Sequence, residues 1–316
     1  MAKELVIMPN WLGDCVLALS VVHRKITMQH TSLTLLVPQP LVPLCAALCG
    51  HPIIPINRST REGYVTALDE VRKQRFDAVY VLPPSFSSAL FAFRTRIKKR
   101  RGISGEWRRP LLTSPLPRSL RNVSSHLTYE YAMVLETDYV PPEYWQGVKL
   151  DKHDDYAGRI VFCPGSKYGP AKQWNGFPAL AELLPGKEIV VLGDEGDAAA
   201  AEAVEAAGPE RVKNLAGKTS LVEAARIISH ARVVVANDSG LMHCAGFTGT
   251  PVVGIFGSTA PAWTRPLGAK VRIAHVKTDC SPCFKRTCRY NDNHCLTRIT
   301  PDLVLGLMHQ LVPEKL

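Results

Sequence analysis

The chain of 316 residues is longer than one ordinary core accommodates, and two domains are the default at ~100–200 residues each. Its 46% hydrophobic content matches soluble globular proteins and excludes wholesale disorder. The net charge of +10 is concentrated: residues 94–121 hold ten basic side chains against Glu106 alone, which points to an anionic partner or a solvated basic loop.

No uninterrupted apolar run approaches the roughly 18 residues that cross a bilayer. The opening Met1-Ala2-Lys3-Glu4 lacks the long apolar region and cleavage site of a secretory signal, so a cytosolic location is expected. Residues 5–8, 33–37, 53–56 and 78–82 then read as strands, with helices over 14–29, 41–49 and 62–75 between them. Strands too uniformly apolar to have a wet face imply a parallel sheet covered on both sides. Residues 83–121 interrupt this order as a long Pro-rich, basic excursion, and a helix over 124–137 closes the first half. Residues 140–156 read as a linker, dividing the chain into domains 1–150 and 151–316. A second alternation follows, with strands at 160–163, 188–192, 232–236, 252–255 and 271–274. Its helices fall at 177–184, 197–207, 221–229, 241–247 and 302–311. The expected fold is α/β: two Rossmann-like domains whose parallel sheets face an interdomain cleft, with ligands beyond the strand carboxyl ends.

Chemistry-bearing strings stand at those strand ends. Pro9-Asn10-Trp11-Leu12-Gly13-Asp14 follows the first strand. Asp14 opens a helix there, either as its N-cap or as a general base kept ionised by the helix dipole. In Pro164-Gly165-Ser166-Lys167-Tyr168-Gly169-Pro170-Ala171-Lys172, small residues let backbone N–H groups approach a phosphate. Ser166 can donate to it and Lys167 or Lys172 can neutralise it, although the spacing is not that of a Walker A loop. Asn237-Asp238-Ser239-Gly240-Leu241-Met242-His243 is a strand–turn–helix junction whose free N–H groups suit an anion such as pyrophosphate. Asp238 orients a sugar hydroxyl or a lysine, or caps the helix; His243 faces the ligand or is a buried histidine. Residues 254–259 form a further Gly-rich turn beside the same crevice.

Nine cysteines suit a reducing compartment. Cys15, Cys45, Cys49, Cys163 and Cys244 are scattered, as small buried hydrophobes are. Cys280, Cys283, Cys288 and Cys295 crowd together with His294. They number enough for a tetrahedral zinc site, with a loop of reduced cysteines as the other reading.

Taken together, residues 9–14, 164–174, 237–243, 254–259 and 280–295 resemble the bacterial lipopolysaccharide heptosyltransferases, glycosyltransferase family 9, which have a GT-B fold. The Cys-rich segment is most similar to the heptosyltransferase II group, which adds the second inner-core heptose. The resemblance implies an inverting transferase that binds ADP-heptose in the second domain and heptosyl-Kdo–lipid A in the first. Asp14 matches the candidate base and Lys172 the lysine that stabilises the departing ADP. Ser166, Ser239 and Gly240 match phosphate contacts, and Asp238 a donor-site carboxylate. Asp194 and Glu195, after the strand ending at 192, are placed to bind the ribose hydroxyls. Lysine and helix N-termini would replace a divalent ion, so no catalytic metal and no other cofactor are expected. Arg94, Arg96, Lys98, Lys99, Arg100 and Arg101 would meet the anionic acceptor and the inner-membrane surface, with the apolar run 90–93 dipping into the interface. That makes the expected location cytoplasmic and peripheral. The alternatives are a family 9 transferase for another sugar or glycan, or a basic nucleic-acid-binding module. No helix-turn-helix or RNA-binding signature supports the latter, so nucleic acid is not expected as a partner.

Overall fold

The computed structural model describes residues 2–29, 31–151 and 154–313, in two compact units, Met1–Pro141 and Pro142–Leu316. In chain order the first unit contains β1 (Lys3–Ile7), α1 (Leu12–Gln29), β2 (Ser32–Pro38), α2 (Val42–Leu48), β3 (Ile53–Ile56), α3 (Arg61–Gln74), β4 (Ala78–Val81), α4 (Phe86–Arg94), β5 (Lys99–Ile103), β6 (Ser114–Leu116) and α5 (Leu127–Leu135). Its six strands are all parallel, in the order β3-β2-β1-β4-β5-β6. Leu5, Ile7, Val79 and Val81 pack with Val71 of α3 and Phe91 of α4 in a core cluster where every one is buried.

The expected excursion over 83–121 is corrected: it folds as α4, β5 and β6 and extends the sheet by two strands. β5 escapes a hydropathy reading because its sequence is Lys-Arg-Arg-Gly-Ile. Its long side chains lie over neighbouring carbonyls, so a charged string still makes a half-buried strand. The run 90–93 does not present itself as a unit: Phe91 and Ala92 are buried on the core face of α4, Leu90 is half-buried and Phe93 is exposed.

In the second unit stand β7 (Ile160–Cys163), α6 (Phe177–Glu182), β8 (Ile189–Val191), α7 (Ala198–Ala206), β9 (Val212–Asn214), α8 (Leu221–Ser229), β10 (Val233–Asn237), α9 (Gly240–Phe247), β11 (Val252–Phe256), α10 (Pro261–Thr264), β12 (Val271–His275), α11 (His294–Thr297) and α12 (Pro301–Leu311). The sheet is again parallel, ordered β12-β11-β10-β7-β8-β9. Every residue of β7, β10 and β11 is buried, which is why each reads as an unbroken apolar run. The three-residue β9 has too little pattern to be predicted.

The units divide at Pro141, earlier than the expected 150 but within the stretch read as a linker. Residues after Pro141 are held by the second unit: Trp145 Nε1 and Val148 N both donate to Phe247 O, at 2.7 and 3.0 Å. Both sheets have the doubly wound order, reversing between β1 and β4 in one and between β7 and β10 in the other. Ligands of such sheets bind at these reversals, beyond the strand carboxyl ends.

Candidate active site

At the reversal of the second sheet, Asn237 ends β10 fully buried. Its amide donates to Pro164 O at 2.5 Å and its Oδ1 accepts from Trp174 N at 3.2 Å, so it ties the loop after β7 to the turn after β10. Lys172 reaches into the same turn. Its Nζ lies 2.5 Å from Asp238 Oδ2, with the two side chains 13% and 4% exposed. The Thr259 hydroxyl donates to the same oxygen at 2.6 Å, and His243 Nε2 stands 4.0 Å from Oδ1. Asp238 therefore orients a lysine, and His243 is buried behind it.

Ser239 occupies the N-cap of α9 but its hydroxyl caps nothing, so the first-turn N–H groups at Gly240 have no side-chain cap. A lysine, an uncapped helix N-terminus and a buried Ser166 at one strand-end edge favour negative charge. The next loop abuts them closely: a Cβ on Gly165 would stand 2.0 Å from Asp197 Oδ2, so any larger residue displaces that carboxylate. Burial pushes the Asp197 carboxyl up. Asp194 caps the turn at Glu195–Asp197 and pairs with Lys167 at 3.0 Å, both partly exposed; Glu195 is exposed beside it.

The cysteine-rich segment braces this edge, a role sequence reasoning missed. Ser281 Oγ donates to Gly257 O at 2.6 Å and Phe284 N to Ser258 O at 2.8 Å, fastening it to the turn after β11. The Tyr168 hydroxyl donates to Phe284 O at 2.6 Å and Ala171 N to Arg286 O at 3.0 Å, fastening it to the loop after β7. Lys172 Nζ sits 4.6 Å from the centre of the Tyr168 ring, so this aromatic face adds a cation–π contact to the Asp238 pair. Burial and the neighbouring Cys280, Cys283 and Cys288 push the Cys295 thiol up. Among the described residues no group of three or more Cys, His, Asp or Glu side chains is arranged to hold a metal ion.

At the reversal of the first sheet, α1 begins at Leu12. Asp14 thus lies half-buried inside the first turn rather than opening the helix at its cap. Sequence reasoning also missed its neighbour Glu130 on α5, which is 2% exposed with Oε1 3.4 Å from Arg121 Nη1 and Oε2 without a hydrogen-bond partner. Burial raises the Glu130 carboxyl, Arg121 opposes, and the Asp14 charge raises it further. Burial also pushes Tyr131 up, again with help from Asp14. Nothing in the local string around 130 signals this acid; only the packing of α1 on α5 brings it to Asp14.

The six basic residues assigned to the acceptor divide in two. Arg94, Arg96 and Lys98 are exposed. Lys99 pairs with Glu136, and Arg100 donates from Nε to Leu111 O at 2.8 Å and from Nη1 to Ile97 O at 2.6 Å. Arg101 donates to Met133 O and Val134 O, in the last turn of α5. Much of the basic segment is thus structural cladding. Arg101→Glu would place an anion against the negative end of α5 and beside Glu136, so it is expected to cost on the order of 2–3 kcal/mol in a denaturant melt. A loss below ~0.5 kcal/mol, the range of neutral surface changes, would show that the cladding is dispensable.

Two doubly wound sheets, one of them carrying a paired lysine and an uncapped helix N-terminus at its reversal, define a nucleotide-handling α/β protein. The sequence model of glycosyltransferase family 9 (heptosyltransferase) matches residues 66–294, and the chain belongs to this family. It is 29% identical to lipopolysaccharide heptosyltransferase 2 of Salmonella typhimurium, covering 99% of both chains. It is 30% identical to lipooligosaccharide heptosyltransferase 2 of Haemophilus ducreyi, over 98% of this chain and 99% of that one. The solved structure of ADP-heptose lps heptosyltransferase II of E. coli superposes with a TM-score of 0.80 at 27% identity, covering 99% of each chain. Among the described residues no helix is long and apolar enough to cross a membrane.

Proposed function

We propose that this chain transfers heptose from ADP-heptose to heptosyl-Kdo–lipid A of the lipopolysaccharide inner core, with inversion at the anomeric carbon. The buried Lys172–Asp238 pair beside the uncapped N-terminus of α9 carries this reading. In the reaction the acceptor hydroxyl oxygen bonds to the anomeric carbon, and the bond from that carbon to the diphosphate breaks. The hydroxyl proton goes to the carboxylate of Asp14, in the first turn of α1. The electron pair leaves with ADP, and Lys172 and the N–H groups at Ser239 and Gly240 stabilise the charge that develops there. Ser166 and Lys167 contact the phosphates, and Asp194 and Glu195 take the ribose hydroxyls. Asp238, whose Oδ2 also accepts from the Thr259 hydroxyl, holds the Lys172 ammonium in place. A lysine and a helix terminus supply the charge a divalent ion would otherwise provide, so transfer proceeds without a catalytic metal.

This acceptor is anchored in a leaflet, so the enzyme works as a peripheral protein at the cytoplasmic face of the inner membrane. Exposed Arg94, Arg96 and Lys98 precede β5, at the amino-end edge of the sheet and opposite the edge that carries Asp14, so the acceptor is met by groups at the carboxyl-end edge instead. The test is turnover of ADP-heptose on defined truncated acceptors with chelator present. Transfer to the monoheptosylated core with release of ADP is expected. Transfer only to the heptose-free Kdo core would move the enzyme to the preceding step, and dependence on added metal would overturn the metal-free mechanism.

A further inference from the structure

Beyond β5 the chain makes a turn that local preference does not explain. Gly105 has φ +143°, and the next two residues, Glu106 and Trp107, are left-handed at φ 47° and 60°. Non-glycine residues adopt that region in succession only where their surroundings over-determine it. The over-determining group is Arg108. It is 0% exposed and its guanidinium is held under the turn, with Nε donating to Ile103 O at 2.7 Å and Nη1 to Pro83 O at 2.6 Å and Ser85 O at 3.0 Å. Burial lowers Arg108 to about 10, which leaves it charged at neutral pH. A Cβ on Gly102 would come within 2.9 Å of both its Nη2 and the Val81 carbonyl oxygen, so glycine in β5 leaves room for this side chain beside β4. Ser104 N closes the far side of the turn on Leu116 O at 2.7 Å.

This construction holds Trp107 out of the fold at 94% exposure, the most exposed of the large apolar side chains among the described residues. Arg109 and Arg118 are exposed in the same loop cluster, and the Arg118 side chain lies along Gly105. The cluster stands at the carboxyl end of the first sheet, the edge that also carries Asp14. We infer that the 104–109 loop is the membrane-contacting tip, with the Trp107 indole seated at the headgroup level of an anionic bilayer and Arg109 and Arg118 on its phosphates. This rests on the proposed lipid-anchored acceptor. An indole with an apolar body and a polar N–H suits the headgroup zone, and arginine suits phosphate. Within the 104–109 loop one aromatic offers no stacking row for nucleic acid, and an arginine rim around one indole lacks the apolar core of a protein interface.

The experiment is vesicle binding without donor or acceptor, using phosphatidylethanolamine vesicles with and without phosphatidylglycerol. Trp107→Ala is expected to lower partitioning onto the anionic vesicles about tenfold with a nearly unchanged melt, because the side chain is 94% exposed. Wild-type fluorescence should be quenched by brominated lipids, and Trp107→Phe should abolish that quenching. The Km for acylated acceptor in vesicles should rise about tenfold in Trp107→Ala, while turnover of the soluble deacylated acceptor stays unchanged. Equal vesicle binding by wild type and Trp107→Ala overturns the proposal. So does an equal rise in Km for soluble and vesicle-borne acceptor, which would make the indole a sugar contact. Loss of heptose transfer with any acceptor would fail the functional reading instead, and the vesicle measurement is independent of it.

Discussion

Asp14→Asn is expected to lower turnover by about 100-fold or more at saturating donor and acceptor, the scale of a lost general base. The substitution conserves shape and leaves the side chain in the first turn of α1, so packing against α5 is undisturbed. What disappears is the negative charge. Two stability effects then oppose each other: the favourable interaction with the helix N-terminus, worth about 0.3–1 kcal/mol, is lost, and the repulsion that raises Glu130 is relieved. The melting curve should therefore move little while the rate collapses. Separate measurement of kcat and of both Km values decides the point, since a proton acceptor acts on kcat and a binding group on Km. Unchanged kcat would reject Asp14 as the base.

Lys172→Ala should reduce kcat by about 10²–10³, with a smaller loss of ADP affinity, because charge on the leaving diphosphate grows in the transition state. The structure complicates this variant. Lys172 is the partner of a carboxylate that is 4% exposed, and removing one member of a buried pair costs on the order of 3–5 kcal/mol. Thr259 and His243 remain around Asp238 and soften that loss. The double variant Lys172→Ala/Asp238→Asn removes both charges and should regain much of the stability while staying as slow as the single. Recovery of turnover in the double variant would mean that Lys172 serves the fold rather than the chemistry. Tyr168 enters the same comparison, since its ring is the second group holding the ammonium.

Most of the architecture was legible because parallel strands covered on both faces leave a plain trace. The apolar runs of β7, β10 and β11 could be read directly, and the glycines, serines and acids that follow them mark where a parallel sheet presents its functional edge. Asp14, Ser166, Lys172 and Asp238 were each legible in this way, as residues at strand ends. Their pairings were not, because a string has no distances. That Lys172, Asp238 and Thr259 share one carboxylate oxygen follows from three loops brought together by strand order. Glu130 comes to Asp14 only because α5 returns to pack on α1.

The sequence by itself determined the α/β class, the two-domain organisation and the strand-end residues, because burial period and turn chemistry are local properties; the family came from the resemblance of its motif strings. Only the tertiary structure decided the fate of the basic stretch. Charge told of arginines but not of carbonyls supplied from residues such as Met133 and Leu111, which turn Arg100 and Arg101 into parts of a strand. In the same stretch one arginine is wholly buried and the tryptophan beside it wholly presented, a distinction made by backbone dihedrals and long-range hydrogen bonds that no composition or periodicity encodes.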